Sequence, residues 1–426
     1  MSGWFAVAVF VGVYVLLATE RVHRVVAALG GALAVLAGGL ISTEDAFFSQ
    51  ETGIAWDVLA LLLGMMVIVG IVRQTGLFDY LAIWAVKRAR GRPYPALVLL
   101  LVITAVASAF LDNVTTVVLM APVTLLVCDR LGLPPVPFLI AEALASNIGG
   151  TATLVGDPPN IIIASRAGLS FADFLVHLAP VVVVIFVLFL IGMRWQIRSA
   201  LVGDGSNPDD LLALDEREAI NDLLLLRRSL VVLGAVLVGF VLHGALHVEP
   251  AVVAMVGAGV LAAVSRAEPA SYLAAVEWET LAFFAGIFVV VGALVKTGVV
   301  DRLATAVADA TGDDMATALT VVLLASAVLS AFVDNIPYVA AMSPVVEQLT
   351  TSPALGVNDG LWWALALGAD LGGNATAIGA SANIIIIGLA RQYGHRITFW
   401  GFARLGTPVA LGSVLLCLPY LLLRYA

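Results

Sequence analysis

Charge is scarce in this sequence, and so are cysteines and basic runs. Only 12% of the residues are charged, whereas 61% are hydrophobic and the mean hydropathy is +1.05. The two cysteines, Cys128 and Cys417, stand far apart and outside any metal-ligand spacing, so the sequence signals neither a disulfide framework nor a thiolate cluster, and both are interpreted as apolar fillers. The formal charge of −9 is spread through loops, without a basic tract for nucleic acid. The low fraction of charged residues and the high fraction of hydrophobic residues together predict a polytopic helical membrane protein.

Signatures of enzymes are missing as well. The glycine-rich NIGGTATLVG after Ser146 superficially resembles a phosphate-binding loop, but no Gly-Lys-Ser/Thr follows it. There is no HExxH motif and no His-paired Ser at membrane depth, so a hydrolase is disfavoured; if ATP is used, a separate ATPase subunit would supply it. His243 and His247 could chelate a metal, but they lie at the predicted outer end of a span and are interpreted as interfacial. The sequence predicts no metal site and no cofactor beyond a coupling H⁺ or Na⁺.

Many apolar runs have membrane-spanning length. The first, from Trp4 to Ala18, has no basic segment before it and Glu20-Arg21 in place of a small-residue cleavage site. We therefore interpret it as a retained helix rather than a signal peptide. Spans are predicted near 4–19, 25–41, 54–72, 96–128, 137–165, 174–193, 229–247, 250–265, 278–295, 316–349, 361–390 and 400–422.

An internal repeat organises these spans. WDVLALLLGMMVIVGIVRQTGLFDYLA, from Trp56, matches WETLAFFAGIFVVVGALVKTGVVDRLA, which begins 222 residues later at Trp278. AVASAFLDNVTTVVLMAPVT and AVLSAFVDNIPYVAAMSPVV keep that offset, and SNIGGTATLVGDPPNIIIAS matches ADLGGNATAIGASANIIIIG at an offset of 223. The sequence thus predicts two halves of one design, 1–198 and 229–426. The linker 199–228 between them is predicted to hold a short amphipathic surface helix.

The distribution of Lys and Arg predicts the topology. If 96–128 and 316–349 are re-entrant hairpins that turn at Asp112-Asn113 and Asp334-Asn335, each half has five crossings and the halves are inverted. One side then collects all of the 21 Lys and Arg residues except Arg166, Lys296, Arg302 and Arg424. By the positive-inside rule this side is cytoplasmic and includes the linker, with both termini outside. The predicted fold is an all-α polytopic membrane protein of two inverted repeats, each with five transmembrane helices, a re-entrant hairpin and a broken helix (137–165 and 361–390).

Acidic and amide side chains lie at the predicted helix interruptions. A charge at hydrocarbon depth is costly, so such residues usually line a polar cavity. A broken helix also frees backbone N–H and C=O groups that bind ions or polar solutes, as in secondary transporters. The predicted substrate- or ion-binding residues are Asp112, Asn113, Thr115, Thr116, Asn147, Gly149, Thr151, Asp157, Asn160, Asp334, Asn335, Asp370, Gly372, Asn374, Thr376 and Asn383. The candidates for proton coupling are Asp334, Asp370 and Asp112.

The two predicted sites differ chemically. Thr115 and Thr116 follow the first tip, whereas Pro337 and Tyr338 follow the second, as expected if one half favours the coupling ion and the other the solute. Asn147 pairs with Asp370 in the repeat, which makes Asp370 the better candidate for a titrating carboxylate.

Two further carboxylates have competing explanations. Asp157 precedes Pro158-Pro159 as an N-cap would, so helix capping explains it as well as ion binding does. Glu142 lies on the same predicted helix as Asn147. It either extends the polar face of that helix, forms a salt bridge or lies at headgroup depth.

At these motifs the sequence resembles a known family. FLDNVTTVVLMAPVT followed by ASNIGGTATLVGDPPNIIIAS, with FVDNIPYVAAMSPVV and GADLGGNATAIGASAN in the second half, is similar to the ArsB/NhaD permeases of the ion transporter superfamily. That superfamily includes the melanosomal P protein and the divalent-anion/sodium symporters. The resemblance covers essentially the whole chain and is greatest to arsenical pump membrane proteins. It implies a scaffold and a transport domain, a homodimer, and elevator-like movement of the hairpins and broken helices.

The tips depart from the pattern of the related symporters, in which a Ser-Asn-Thr signature holds sodium and the substrate carboxylate. Asp112-Asn113-Val114-Thr115 and Asp334-Asn335-Ile336-Pro337 stand in its place. An added carboxylate suits a cation, a proton or a neutral solute better than an anion.

The sequence therefore predicts a secondary active transporter of the bacterial inner membrane. The resemblance implies proton-coupled export of arsenite or antimonite, which is an uncharged trihydroxide near neutral pH. A Na⁺/H⁺ antiporter is the first alternative, because the four aspartates would let Na⁺ and H⁺ compete for one site. A sodium-coupled carrier of dicarboxylate or citrate is the second. A channel is disfavoured, since no continuous polar stripe follows any span.

Overall fold

The computed structural model describes residues 2–19, 21–201, 216–266, 268–312, 314–351 and 358–426, and all regular secondary structure in these ranges is helical. The helices before the linker are α1 (Ser2–Thr19), α2 (Arg24–Ala37), α3 (Thr43–Phe48), α4 (Trp56–Arg73), α5 (Leu77–Arg88), α6 (Pro93–Phe110), α7 (Asn113–Leu131), α8 (Pro135–Gly150), α9 (Pro158–Ala167), α10 (Phe171–His177) and α11 (Ala179–Gln196). After the linker come α12 (Leu223–Leu246), α13 (Pro250–Ser265), α14 (Pro269–Leu273), α15 (Trp278–Lys296), α16 (Val299–Thr311), α17 (Met315–Ser330), α18 (Asn335–Thr350), α19 (Gly360–Gly372), α20 (Ser381–Gln392) and α21 (Phe399–Tyr425). Short 3₁₀ helices cover Glu216–Ala219 and Gly373–Ala375.

Length and composition agree with a protein that crosses the membrane several times. Seven helices in the described ranges have at least 18 residues and are apolar enough to span a bilayer. They are α4, α6, α7, α11, α12, α15 and α21. Shorter apolar segments lie in α1, α2, α13 and α17. Helices satisfy their own backbone hydrogen bonds, which a hydrocarbon environment requires.

The helices are interrupted at the acidic motifs. α6 ends at Phe110, and the Asp112 side chain caps α7 by accepting a hydrogen bond from the Thr115 N–H at 2.7 Å. In the second half, the Asp334 side chain accepts from the Ile336 N–H at 3.2 Å as α18 begins. Residues 151–157 separate α8 from α9, and 373–380 separate α19 from α20. The membrane depth of these breaks and the inversion of the two halves stay predictions.

The packing interlocks the two halves. α6 and α7 both pack against α8, and α17 and α18 both pack against α19. The second segment of each broken helix contacts the other half, because α9 packs against α18 and α20 against α7. Further from the breaks, α4 packs on α13 and α15 packs on α2. Each half is thus completed by elements of the other.

Glycines allow the closest of these contacts. A Cβ added at Gly149 would lie 2.2 Å from the backbone oxygen of Ala105, so α8 meets the backbone of α6 directly. At Gly372 it would lie 2.4 Å from the backbone of Ala327, in the equivalent pair α19 and α17. The two predicted site glycines therefore contribute helix proximity.

Some predicted boundaries are wrong. The linker ends earlier than predicted, because α12 begins at Leu223, inside 199–228. Segments treated as loops contain the helices α3, α5 and α16, which are too short to register as spans. Of the predicted surface helix in the linker, 202–215 lies outside the described residues. The 3₁₀ turn that follows pairs Glu216 with Lys87 of α5, and the Lys87 ammonium holds the pKa of the Glu216 carboxyl below its usual range.

Candidate functional site

Asp157 lies where the two helix tips meet. Its Oδ2 accepts a hydrogen bond from Asn113 Nδ2 at 2.9 Å and another from Asn335 Nδ2 at 3.2 Å. All three side chains are buried. Asp157 Oδ1 has no hydrogen-bond partner in the described part of the protein. One carboxylate, contributed by the first broken helix, thus joins the tips of both halves.

The Asp157 side chain does not cap α9, although the residue stands directly before that helix. Backbone geometry makes it the N-cap residue, but its carboxylate forms no capping hydrogen bond. The capping explanation considered from the sequence is therefore wrong for this side chain.

Asn147 connects the two broken helices. Its Nδ2 donates to Asn374 Oδ1 at 2.9 Å and to Asn383 Oδ1 at 3.0 Å, and its Oδ1 accepts from Asn113 at 3.1 Å. Asn374 and Asn383 belong to the second half, 227 and 236 residues further along the chain. The amides therefore form a buried bridge between the halves.

Asp370 is the second carboxyl group of this cluster. It is fully buried, and neither of its oxygens has a hydrogen-bond partner among the described residues. The polar side chains of Asn335, Thr151 and Asn160 lie beside it. An ionised carboxylate in such surroundings is strongly disfavoured without a cation or proton. Asn160 Oδ1 and Asn374 Nδ2 also have no hydrogen-bond partner within the described ranges.

Two asparagine side chains also form hydrogen bonds with the backbone at the breaks in the two broken helices. Asn160 Nδ2 donates to the Thr153 carbonyl at 3.0 Å, and Asn383 Nδ2 donates to the Thr376 carbonyl at 2.9 Å. The Thr153 and Thr376 hydroxyls donate to the backbone carbonyls of Ala109 and Ala331, at the C-terminal ends of α6 and α17. These amides satisfy backbone groups that the breaks leave free.

Not every predicted residue reaches the cluster. Asp112 and Thr115 bond to each other at the start of α7, and the Thr116 hydroxyl donates to the Asp112 carbonyl at 2.9 Å. Thr151, in contrast, does reach the cluster, because it lies beside Asp370 and its hydroxyl donates to the Asn147 carbonyl at 2.8 Å. Asp334 accepts from the Ser381 hydroxyl instead of from an amide of the cluster. Ion binding by these residues stays a prediction.

A cavity of about 540 Å³ lies beside the second tip. Asp334 and Ser381 line it together with His23 and Arg24. Arg24 Nη2 also donates to Thr280 Oγ1 at 3.1 Å. Sequence reasoning missed Ser381, whose repeat equivalent is Pro158. The sequence analysis used Arg24 only to predict the membrane topology. The signal that could have identified it is a cation at the start of a predicted span.

The histidine pair of α12 lies in a separate cavity of about 340 Å³. His243 Nε2 accepts a hydrogen bond from the Phe171 N–H at 3.4 Å. In the described ranges, no group of three or more His, Cys, Asp or Glu side chains is arranged to hold a metal ion.

Comparison with known proteins gives the family. Residues 14–368 match the model of the citrate transporter family. The "46 kDa membrane protein" of Mycobacterium leprae is 52% identical over 421 residues, covering 99% of this chain and 98% of that protein. An uncharacterized transporter of Mycobacterium tuberculosis shows the same identity and coverage. The human P protein is 34% identical over 501 residues, covering 99% of this chain and 60% of that protein.

Two solved structures share the fold at low sequence identity. MtrF of Neisseria gonorrhoeae, described in terms of a class of antimetabolite efflux pumps, has a TM-score of 0.61 at 13% identity and covers 93% of this chain and 85% of its own. The YdaH transporter of Alcanivorax borkumensis has a TM-score of 0.59 at 17% identity, covering 90% and 88%. The all-α polytopic transporter fold is confirmed, and the relationship to the P protein is as the resemblance implied. This chain is a multi-pass membrane transporter that belongs to the citrate transporter family.

Proposed function

We propose that the protein is a cation-coupled secondary active transporter in which H⁺ or Na⁺ binds between Asp157 and Asp370. The observation that carries this proposal is a buried pair of carboxyl groups with three unpartnered oxygens. Their hydrogen-bond donors and nearest polar neighbours are amides and a hydroxyl, with no Lys or Arg among them. Protons or a hard cation would neutralise such a centre.

Cation binding at Asp157 would act on both tips. Asn113 and Asn335 both donate to Asp157 Oδ2, so neutralising this carboxylate weakens two charge-assisted hydrogen bonds at once. The contact between the two tips then depends on occupancy of the site. This dependence is what a carrier needs if it is to change conformation only when loaded.

The substrate is the finer part of the proposal. Proton-coupled export of arsenite or antimonite rests on the sequence resemblance to ArsB-type permeases, and Na⁺/H⁺ exchange rests on the cluster itself. Of these two, the cluster favours Na⁺/H⁺ exchange, because its free oxygens belong to carboxyl and amide groups. The homodimer and a separate ATPase subunit stay predictions, and ion-driven transport by the purified protein would make the ATPase unnecessary.

Citrate-type transport is a second candidate, favoured by the family match and by the cavity at Arg24. A guanidinium is the group that best recognises a carboxylate. If citrate enters this cavity, Arg24→Gln raises its KM about 10-fold or more, the effect of losing one hydrogen bond to a charged group. Uptake of labelled citrate into proteoliposomes measures the change, with the exposed Arg302→Gln as the matched control. An unchanged KM in Arg24→Gln removes Arg24 from citrate recognition.

The proposal is tested first in proteoliposomes that contain the purified protein, a trapped pH-sensitive dye and no ATP. Na⁺, Li⁺, citrate, arsenite and antimonite are added separately. We expect Na⁺ or citrate to change the internal pH, and arsenite to do so only if the resemblance to arsenite permeases extends to substrate. Protein-free liposomes are the control. If no added solute changes the internal pH and none shows a sodium-dependent flux, the proposal is contradicted.

A further inference from the structure

A second set of buried polar groups runs along the contact between α6 and α8. The Thr104 hydroxyl of α6 donates a hydrogen bond to Glu142 Oε1 of α8 at 3.5 Å. One helical turn further along both helices, Ser108 and Ser146 have their hydroxyl oxygens 3.1 Å apart. These four side chains are at most 1% exposed. They form a stripe that the predicted binding residues do not include.

This stripe ends at the first tip. The Ser108 hydroxyl donates to the Ser146 carbonyl at 2.7 Å, and the Ser146 hydroxyl lies 2.9 Å from the Asn113 carbonyl. Asn113 in turn donates to Asp157. Thr104, Ser108 and Ser146 thus lie along the contact between α6 and α8, in the stretch between Glu142 and the first tip.

Glu142 has the surroundings of a proton-binding group. Its Oε2 has no hydrogen-bond partner in the described part of the chain, and it takes part in none of the ion pairs found there. Thr124 of α7 lies beside it with an unpartnered hydroxyl, and the Cys128 thiol, also on α7, is the titratable group that faces it. An ionised carboxylate without a cation is costly in these surroundings, so Glu142 holds a proton in this conformation.

The repeat shows that the helix packing does not require this carboxyl group. Leu365 and Ala369 occupy the positions of Glu142 and Ser146 in the second half. The equivalent hydrogen bond from Ser330 to the Ala369 carbonyl is nevertheless present at 2.6 Å. The same helix pair therefore forms with an apolar side chain, which leaves the burial of Glu142 to be explained by function.

We propose that Glu142 is a second proton site of the transporter, separate from the Asp157–Asp370 cluster. When the site releases its proton, the carboxyl O–H bond breaks and water takes up the proton. No oxidant or reductant takes part. A part for this proton in transport rests on the proposed function, whereas protonation of Glu142 does not.

Infrared difference spectroscopy of the full-length protein in lipid tests protonation directly. The Asp157→Asn/Asp370→Asn background removes the carboxyl groups of the cluster. In this background the protein has a deuterium-sensitive carbonyl band of a protonated carboxyl that disappears at high pH, and adding Glu142→Gln removes this band. Glu142→Leu introduces the residue found at the equivalent position of the second half, Leu365. It serves as the test variant if Glu142→Gln fails to fold. Leu365→Gln is the matched control and keeps the band. Retention of the band in a folded Glu142 variant, or its loss on adding Na⁺ at constant pH, overturns the proposal.

The part of Glu142 in transport is tested separately in proteoliposomes. Glu142→Gln slows cation-driven proton movement roughly 100-fold, the typical effect of losing a proton-transfer group, and leaves equilibrium Na⁺ binding unchanged. Equal rates in Glu142→Gln and wild type overturn a part for Glu142 in proton movement. If wild-type protein moves no protons with any solute, the proposed function fails while the infrared result still decides whether Glu142 binds a proton.

Discussion

Asp157→Asn and Asp370→Asn are each expected to abolish ion-coupled transport while the protein remains folded. An asparagine at position 157 keeps an oxygen for Asn113 and Asn335 but cannot carry a charge or exchange a proton. Removing one partner of a buried charged site costs about 3–5 kcal/mol, which is a loss of more than 100-fold. The measurement is the initial rate of internal pH change in proteoliposomes with equal protein content.

Asp314→Asn is the matched control for this pair. Asp314 caps α17 at an exposed position, where its Oδ2 accepts from the Thr317 N–H at 2.8 Å, and asparagine caps helices comparably. Wild-type transport is expected from it. Asp334→Asn tests one of the two other coupling candidates, Asp334 and Asp112, because Asp334 binds Ser381 and the Ile336 N–H outside the central cluster. Wild-type rates in both Asp157→Asn and Asp370→Asn would remove the proposed cation site.

Adding one methyl group at Gly149 or Gly372 is expected to destabilise the whole assembly. Each new Cβ would lie 2.2–2.4 Å from backbone atoms of the neighbouring helix, which cannot move aside as a flexible side chain does. Overpacking of this kind costs about 1–3 kcal/mol, so we expect Gly149→Ala and Gly372→Ala to lower the melting temperature in detergent by roughly 5 °C and to reduce the monodisperse yield.

Gly192→Ala tests whether this effect is specific. Gly192 lies in α11, and a Cβ there would meet no atom within 4 Å. Its melting temperature should equal or slightly exceed that of wild type, because alanine favours the helix. Equal melting temperatures for Gly149→Ala and Gly192→Ala would contradict the close approach of α6 and α8.

The sequence allowed the breaks to be predicted because their causes are local. Asp112 precedes a helix that its own side chain caps, and two prolines mark the start of α9. The matching of Asn147 with Asp370 along the repeat also identified two members of the cluster. Whether a side chain caps its helix does not follow from its position alone. Asp157 stands at the N-cap of α9, but its carboxylate binds the two tips instead.

Contacts between distant segments were beyond the sequence. Nothing local to Asn147 indicates that it donates to Asn383, since that pairing depends on how α8 and α20 pack. Ser381 has no counterpart at Pro158, so the repeat could not identify it. The short charged helix α5 was taken as a loop because the criterion applied was the length of an apolar run.

The bridge between the halves also has a consequence for biosynthesis. Asn147 finds one of its partners 236 residues later. At a translation rate of about 5–20 residues per second, the nascent first half waits roughly 10–50 s before that partner leaves the ribosome. During this interval Asn147 Nδ2 lacks both of its acceptors, Asn374 and Asn383. The order of synthesis therefore leaves a polar group of the N-terminal half waiting for partners that only the C-terminal half supplies.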